Sequence, residues 1–219
     1  MAAAQRDPLA PLTDTIRAVT GRAASAAERE RFSRYLDLLL AWNRVHRMTA
    51  LDSPAAIGRV LFQDSLLLLP LLPDGGIKVV DIGAGAGIPG IPLRIVEPRI
   101  QLTLIEAKRK RVSFLSTLKR ELDLGDVEVL EGRAEVIIKQ HPEKSGFFDV
   151  ALSRAIAQTR TFLAAVAEYL KPGGIFIAPG PPKPGKLPAM PPTLAARWET
   201  VPFSALGLKR SFLIASRKS

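Results

Sequence analysis

The chain has 219 residues, enough for one α/β domain with a proper core and a small extension. It carries 31 Lys and Arg against 21 Asp and Glu, and this formal charge of +10 favours a polyanionic partner. Cysteine is absent and there are only two histidines. This composition excludes disulfides, thiolate metal sites and cysteine nucleophiles, and we expect no metal centre.

The N-terminal part predicts a leader followed by a helix. Residues 1–24 are predicted to be a basic, partly disordered leader, whose start is too polar for a signal-peptide core. Ser25 and Glu28 have the spacing of a capping box, which indicates that a helix begins there. Apolar residues then recur at helical spacing and predict a buried stripe: Phe32, Tyr35, Leu36, Leu39 and Trp42.

A second helix is predicted over residues 55–72. Its longest apolar run is short and contains Pro70, so we expect no membrane-spanning segment and a cytoplasmic chain. Residues 25–76 are predicted to form an N-terminal helical cap that packs on a core domain of residues 77–219.

A glycine-rich turn follows the first predicted strand, 78–81, which ends at Asp81. The glycines stand at every second position: Gly83, Gly85 and Gly87. Such a strand, turn and helix start form a nucleotide-cofactor loop of a doubly wound α/β fold. A dinucleotide fingerprint fits only one register later, ending at Gly90. The pattern instead resembles motif I of S-adenosylmethionine-dependent methyltransferases, whose cationic cofactor suits the preceding carboxylate, whereas a pyrophosphate would be repelled.

An acidic residue also ends the second predicted strand, 101–105. This residue, Glu106, lies 19 residues after Gly87, where a doubly wound site needs an acceptor for ribose hydroxyls. Four cations open the next helix: Lys108, Arg109, Lys110 and Arg111. Cations oppose the helix dipole at this end, which hints at a phosphate contact, although a solvated cluster fits equally well.

The later elements complete the doubly wound pattern. The turn after a third strand, 127–130, is expected to border an adenine. A fourth strand, 147–152, leads to Arg154, which is placed to hold a carboxylate or an RNA phosphate or to form a salt bridge at a buried edge. A helix over 161–170, a turn at 171–174 and a fifth strand over 175–178 follow. After them come a proline-rich loop, 179–192, and a closing antiparallel pair of strands, 198–203 and 212–216. The proline-rich loop is predicted to be irregular, either a mobile flap or disordered.

Motifs spread over most of the chain carry a family resemblance. They are Trp42-Asn43, Met48-Thr49, Asp64-Ser65-Leu66, Asp81 to Leu93, Lys110 to Leu115, Gly132 to Glu135, Ser153-Arg154-Ala155 and Lys171 to Gly174. With them, the chain resembles the bacterial glucose-inhibited division protein B family, small-subunit ribosomal RNA methyltransferases that make a 7-methylguanosine. The resemblance implies a Rossmann-like class I methyltransferase sheet, S-adenosyl-L-methionine as cofactor, and 16S rRNA or the small ribosomal subunit as partner. We expect a monomer.

The resemblance also implies site residues. It puts cofactor contacts on Gly83, Ile88, Ala134, Glu135 and Arg154, beside the pattern-derived candidates Asp81, Gly85, Gly87 and Glu106. The RNA-binding candidates are Lys108, Arg109, Lys110, Arg111, Lys183 and Lys186. Two positions depart from the family: Gln63 stands where a histidine is usual, and Pro179 where a lysine is usual. Lys183 and Lys186 are the nearest substitutes for that lysine.

The predicted reaction is a direct methyl transfer without a covalent enzyme intermediate. Guanine N7 exposes a lone pair, so no general base is expected, and alignment with electrostatic tuning carries the rate while Arg154 shapes the pocket. The alternatives are a methyltransferase of the same fold acting on a small molecule or protein, and a catalytically weak cofactor- or RNA-binding relative. Turnover that is insensitive to salt would favour a substrate without phosphates.

Overall fold

A computed structural model describes residues 7–154 and 159–218. Seven strands form one sheet in the order β3-β2-β1-β4-β5-β7-β6. Their bounds are β1 Lys78–Ile82, β2 Gln101–Glu106, β3 Glu128–Glu131, β4 Phe148–Leu152, β5 Leu170–Pro179, β6 Leu194–Phe203 and β7 Leu208–Arg217. The first five strands are parallel, and β7 runs antiparallel to both β5 and β6. The predicted strands and the closing antiparallel pair are thereby confirmed.

Helices cover both faces of the sheet. Their bounds are α1 Ala10–Thr20, α2 Ala26–His46, α3 Pro54–Ala56, α4 Asp64–Leu66, α5 Gly90–Val96, α6 Arg109–Glu121, α7 Ala134–Gln140 and α8 Arg160–Tyr169. Val79 of β1 belongs to the apolar cluster that contains α1, α2, α5 and α6, whereas its neighbour Val80 belongs to the cluster with α7 and α8. Side chains alternate along a strand, so a central strand buried on both faces is apolar throughout. The chain is doubly wound, as predicted.

The strand order fixes where a ligand is expected. The chain runs outward from β1 to β3, then returns to add β4 on the other side of β1. The carboxyl ends of β1 and β4 therefore border a crevice at the switch point, which is where open α/β sheets bind their ligands.

The prediction of a partly disordered leader over residues 1–24 is wrong for residues 10–20, which form an ordered helix, α1. Leu12 and Ile16, one helical turn apart, are each only 1% exposed, and Leu9 and Val19 extend this apolar stripe at helical spacing. Gln63 donates through Nε2 to Oγ1 of Thr15 (3.0 Å) and ties the helix to the cap. Residues 1–6 of the predicted leader lie outside the described residues, and so does Ala155 of the Ser-Arg-Ala motif.

The second predicted helix is present but not uniform. A π-helical segment, Ile57–Gln63, joins α3 to α4, and a 3₁₀ turn, Leu69–Leu71, follows. By length and composition alone Pro54–Leu71 is apolar enough to cross a membrane, but half of it is buried inside the protein, as in a core helix. The capping box that begins α2 is confirmed, with Ser25 and Glu28 each accepting from the other's backbone N–H.

The fifth strand is longer than predicted. The expected turn at 171–174 is an irregularity within β5: Phe148 pairs with Leu170, whereas Val150 pairs with Ile175. The extra residues bulge out opposite β4, so extended backbone resumes on both sides of them. Residues 180–193 contain no helix or strand, as predicted for the proline-rich loop.

Candidate active site

A cavity of about 460 Å³ opens at the carboxyl ends of β1, β2 and β4. Most of the predicted cofactor residues line it together: Gly83, Gly85, Ile88, Glu106, Ala134, Glu135 and Arg154. Its volume is within the range of small-molecule sites, and backbone groups and one buried carboxylate provide polar partners. Asp81 and Gly87 are absent from the lining.

The glycine turn is fixed against the neighbouring strand. The N–H of Gly83 donates to the carbonyl of Ile105 in β2 (2.8 Å). Gly83 and Gly85 both have positive φ, at 74° and 60°, which side chains other than glycine rarely tolerate. A Cβ on Gly87 would lie 2.9 Å from the Tyr35 hydroxyl, so this glycine permits close packing under the loop rather than contact with a ligand.

Glu106 is the buried carboxylate of the cavity. It is 4% exposed, and its two oxygens accept separate backbone hydrogen bonds, from the N–H of Gly85 (2.9 Å) and of Lys108 (2.9 Å). Arg111 approaches its Oε2 at 3.8 Å. The side chain is therefore held at the cavity wall with its charge facing the space that a ligand would fill.

Asp81 lies behind the glycine turn instead of in the cavity. It is fully buried; its Oδ2 accepts from the N–H of Gly90 (2.9 Å), and its Oδ1 has no partner among the described residues. Burial raises the pKa of Asp81 to about 7, with Glu106 adding to the rise, while the Gly90 hydrogen bond and the charge of Arg154 act against it. Asp81 thus fixes the start of α5, next to the turn.

The helical cap supplies part of the cavity that the sequence patterns did not predict. Met48 and Thr49 line it, although they were noted only as a resemblance motif. The side chain of Asn43 holds their loop, accepting from the N–H of Thr49 (2.9 Å) and donating to the carbonyl of Leu51 (2.9 Å). Leu61 and Phe162 also line the cavity and lie in no local motif, while Arg133 was noted only as part of the Gly132 to Glu135 motif.

Arg154 lies between this cavity and a second one. Its Nη2 donates to the carbonyl of Val60 in the π-helical segment (2.7 Å). Burial lowers the pKa of Arg154, while the nearby charges of Asp64 and Asp81 act in the opposite direction. The second cavity is about 200 Å³, and Arg154 lines both. One guanidinium therefore faces two adjoining spaces.

The second cavity lies at Pro179, the position where the family usually has a lysine. Pro179 lines it, and so do Lys209 and Arg210 of β7. The nearest substitutes predicted from the sequence, Lys183 and Lys186, are exposed and line neither cavity. The cations found beside Pro179 come from the closing strand because β7 runs antiparallel along β5.

The predicted RNA-binding cluster divides into two parts. Arg111 is half-buried and lines the larger cavity, whereas the other three residues are exposed and outside it: Lys108, Arg109 and Lys110. Within residues 7–154 and 159–218, no three His, Cys, Asp or Glu side chains gather in a way that would hold a metal ion.

Comparisons with known proteins bear on this site. A family model described as GidB, rRNA small subunit methyltransferase G, matches residues 28–179. Among curated relatives named Ribosomal RNA small subunit methyltransferase G, one from Polynucleobacter asymbioticus is 39% identical over 148 residues, which is 66% of this chain and 65% of the relative. One from Caldanaerobacter subterraneus subsp. tengcongensis is 41% identical over 152 residues, 68% of this chain and 62% of the relative. The matches thus span less than two thirds of the length of these relatives.

The solved structures that resemble the chain share its fold. A SAM-dependent methyltransferase from Aquifex aeolicus superposes with a TM-score of 0.57 at 18% identity, covering 78% of this chain and 97% of that one. At this identity the likeness concerns the fold alone. The sheet is that of the Rossmann-like class I methyltransferases, as the sequence predicted.

Proposed function

The chain belongs to the GidB family, rRNA small subunit methyltransferase G, and on this premise we propose that it methylates N7 of a guanine in 16S rRNA, using S-adenosyl-L-methionine. One observation carries the proposal: a cavity with a glycine turn and the buried Glu106 adjoins a smaller cavity, and Arg154 lines both. A cofactor in the first space and a base in the second would meet at this residue.

The larger cavity fits the cofactor by its donors and acceptors. Glu106 would accept hydrogen bonds from the ribose hydroxyls, and its carboxylate is already oriented by two backbone N–H groups. Ala134 and Glu135, at the start of α7 and in the lining, would border the adenine. Gly83, Gly85 and Ile88 would let the methionine part lie against bare backbone. Asp81 and Gly87 would act indirectly, by fixing the turn.

Methyl transfer to guanine N7 needs no acid or base catalysis from the protein. When bound, the cofactor would supply an electrophilic methyl group to the N7 lone pair, and its sulfur would keep the electron pair of the bond to that methyl group. No proton is removed in this step, so no residue is assigned as a general base. Arg154 would position the base at the boundary of the two cavities, and alignment would provide most of the rate enhancement.

The RNA partner is supported by charge. The chain has a formal net charge of +10, and exposed cations attract phosphates regardless of sequence. Lys108, Arg109 and Lys110 lie near the mouth of the larger cavity, beside its lining residue Arg111, and would contact the RNA backbone. Lys183 and Lys186 remain candidates for contacts farther from the base. We infer that the protein acts as a monomer on the small subunit, in the cytoplasm.

We propose different roles for the two parts of the chain. The core, residues 77–219, would bind the cofactor, and the helical cap, residues 25–76, would close the cavity through Met48 and Thr49. Helix α1 would belong to the cap, because Thr15 accepts a hydrogen bond from Gln63.

The experiment compares Gly83→Arg with Gly75→Arg. Both glycines have positive φ, but Gly83 lines the cavity, whereas Gly75 has open space around it and lies away from both cavities. Calorimetric titration with the cofactor and transfer of labelled methyl to small subunits should be lost in Gly83→Arg and kept in Gly75→Arg. Undiminished transfer by a folded Gly83→Arg protein would contradict the site. Transfer to protein or to a small molecule would replace the RNA substrate by the alternative, and binding without transfer would indicate a catalytically weak relative.

A further inference from the structure

The second cavity has the size and walls of a site for one planar base. Its volume of about 200 Å³ is less than half that of the first cavity. Pro89, Pro179 and Phe212 give it apolar walls against which a ring can stack. Its polar side chains come from the cap, from Arg154 after β4 and from β7, so a base inside it would be held by three separate parts of the chain.

Asp64 is the single acidic group in the lining of this cavity. Arg210 donates to its Oδ1 from both Nε (3.3 Å) and Nη2 (3.2 Å). Its Oδ2 accepts no hydrogen bond within the described part of the chain. The Asp64 side chain is 30% exposed and that of Arg210 41% exposed, so the pair is accessible to a ligand. The arrangement fixes the carboxylate through one oxygen and leaves the other available as an acceptor.

We propose that Asp64 determines specificity for guanine, by accepting hydrogen bonds from N1–H and the 2-amino group of the target base. This inference rests on the proposed function. Guanine presents two adjacent donors on this edge, which the two lone pairs of Oδ2 can accept, whereas adenine presents an acceptor at N1 that the carboxylate would repel. The edge lies across the ring system from N7, so a base held by Asp64 keeps its nucleophilic nitrogen free.

The same contact would strengthen as the methyl group is transferred. Methylation at N7 leaves a positive charge on the ring, which makes N1–H a stronger donor and draws the base toward an anion. An interaction that is stronger in the transition state than in the ground state raises the rate as well as the affinity. Asp64 therefore both selects the base and favours the product charge, while Arg210 holds the carboxylate in place.

The test first maps the methylated guanosine with the wild-type protein, so that absence of any product counts against the proposed function and not against Asp64. A synthetic RNA fragment carrying that position is then made with guanosine or with inosine, which lacks only the 2-amino group. The wild type and Asp64→Asn are compared on both fragments, with Asp37→Asn, an exposed aspartate on α2, as the matched control. The cofactor dissociation constant and the melting temperature show that each variant is folded.

Wild-type kcat/KM should fall about 10-fold from guanosine to inosine, because one hydrogen bond to a charged group is lost. Asp64→Asn should lower kcat/KM on guanosine by on the order of 10- to 100-fold, with an unchanged cofactor dissociation constant, and should respond to inosine by no more than about twofold. A purely structural Asp64–Arg210 pair predicts that Asp64→Asn keeps the full 10-fold inosine effect. That result, or a wild type indifferent to inosine, would overturn the inference.

Discussion

Replacing Asp81 by Asn tests the electrostatics of the glycine turn. In the folded protein, burial raises the pKa of Asp81 from its ordinary value of 3.8 to about 7. Between these pH values the folded state keeps a proton that the unfolded chain releases, so the free energy of unfolding falls as pH rises through this window. Asn preserves an acceptor for the N–H of Gly90 but cannot ionise.

The magnitude follows from the two pKa values. One pH unit within the window corresponds to about 1.4 kcal/mol, so ionisation of Asp81 should cost about 2 kcal/mol of stability between pH 5 and 7 and about 4 kcal/mol in all. Asp81→Asn lacks this loss. Its stability relative to the wild type should therefore rise by about 2 kcal/mol from pH 5 to 7 and level off above that.

Urea unfolding at pH 5, 6, 7 and 8 measures this difference. The amide of Asn also changes the stability by an amount that does not depend on pH, for example because its NH2 group would take the place of Oδ1, which has no partner among the described residues. Such a constant effect shifts the free energy of unfolding equally at every pH and does not alter its slope against pH. Asp37→Asn makes the same chemical change at an exposed site and serves as control. A difference between wild type and Asp81→Asn that stays constant over this range, or that falls as pH rises, would refute the reasoning.

Three further substitutions test packing around the site, and urea unfolding is the measurement for the first two. Tyr35→Phe removes the hydroxyl that donates to the buried carbonyl of Ala86 and should cost about 1–3 kcal/mol; an unchanged midpoint would contradict this contact. Gly90→Ala puts a Cβ 2.9 Å from Oδ2 of Asp81 and should cost about 1–3 kcal/mol, whereas Gly125→Ala, with nothing within 4 Å, should be neutral; equal effects would argue against crowding. Gln63→Ala removes the buried hydrogen bond to α1 and should speed amide hydrogen exchange in α1 more than in the rest of the chain, while an equal change throughout would show that α1 is held by other contacts.

The sequence was sufficient for the sheet and for one wall of the site because these depend on local patterns. The glycines that follow the first strand predict a ligand-binding edge, and Glu106, the acid that ends the second strand, is found at that edge with 4% exposure. The capping box of α2 is equally local, since Ser25 and Glu28 are three residues apart.

The second cavity depends on long-range geometry that no local pattern contains. Pro179 pairs with Phe212 in the antiparallel register of β5 and β7, which carries Lys209 and Arg210 to the active edge of the sheet. In the sequence these cations lie about thirty residues beyond the position they accompany, so the nearer Lys183 was favoured instead. The contribution of α1 was missed although its apolar residues stand at helical spacing, because the residue that ties it to the cap, Gln63, is distant in the sequence.

The most direct test of the account identifies the methylated product. Small ribosomal subunits that lack the modification are incubated with the protein and labelled S-adenosyl-L-methionine, and the RNA is digested to nucleosides beside the protein fraction. The account predicts that the label is recovered as 7-methylguanosine from 16S rRNA, and that Gly83→Arg abolishes it while Gly75→Arg does not. Label in another nucleoside or in protein, or no label despite measurable cofactor binding, would contradict it.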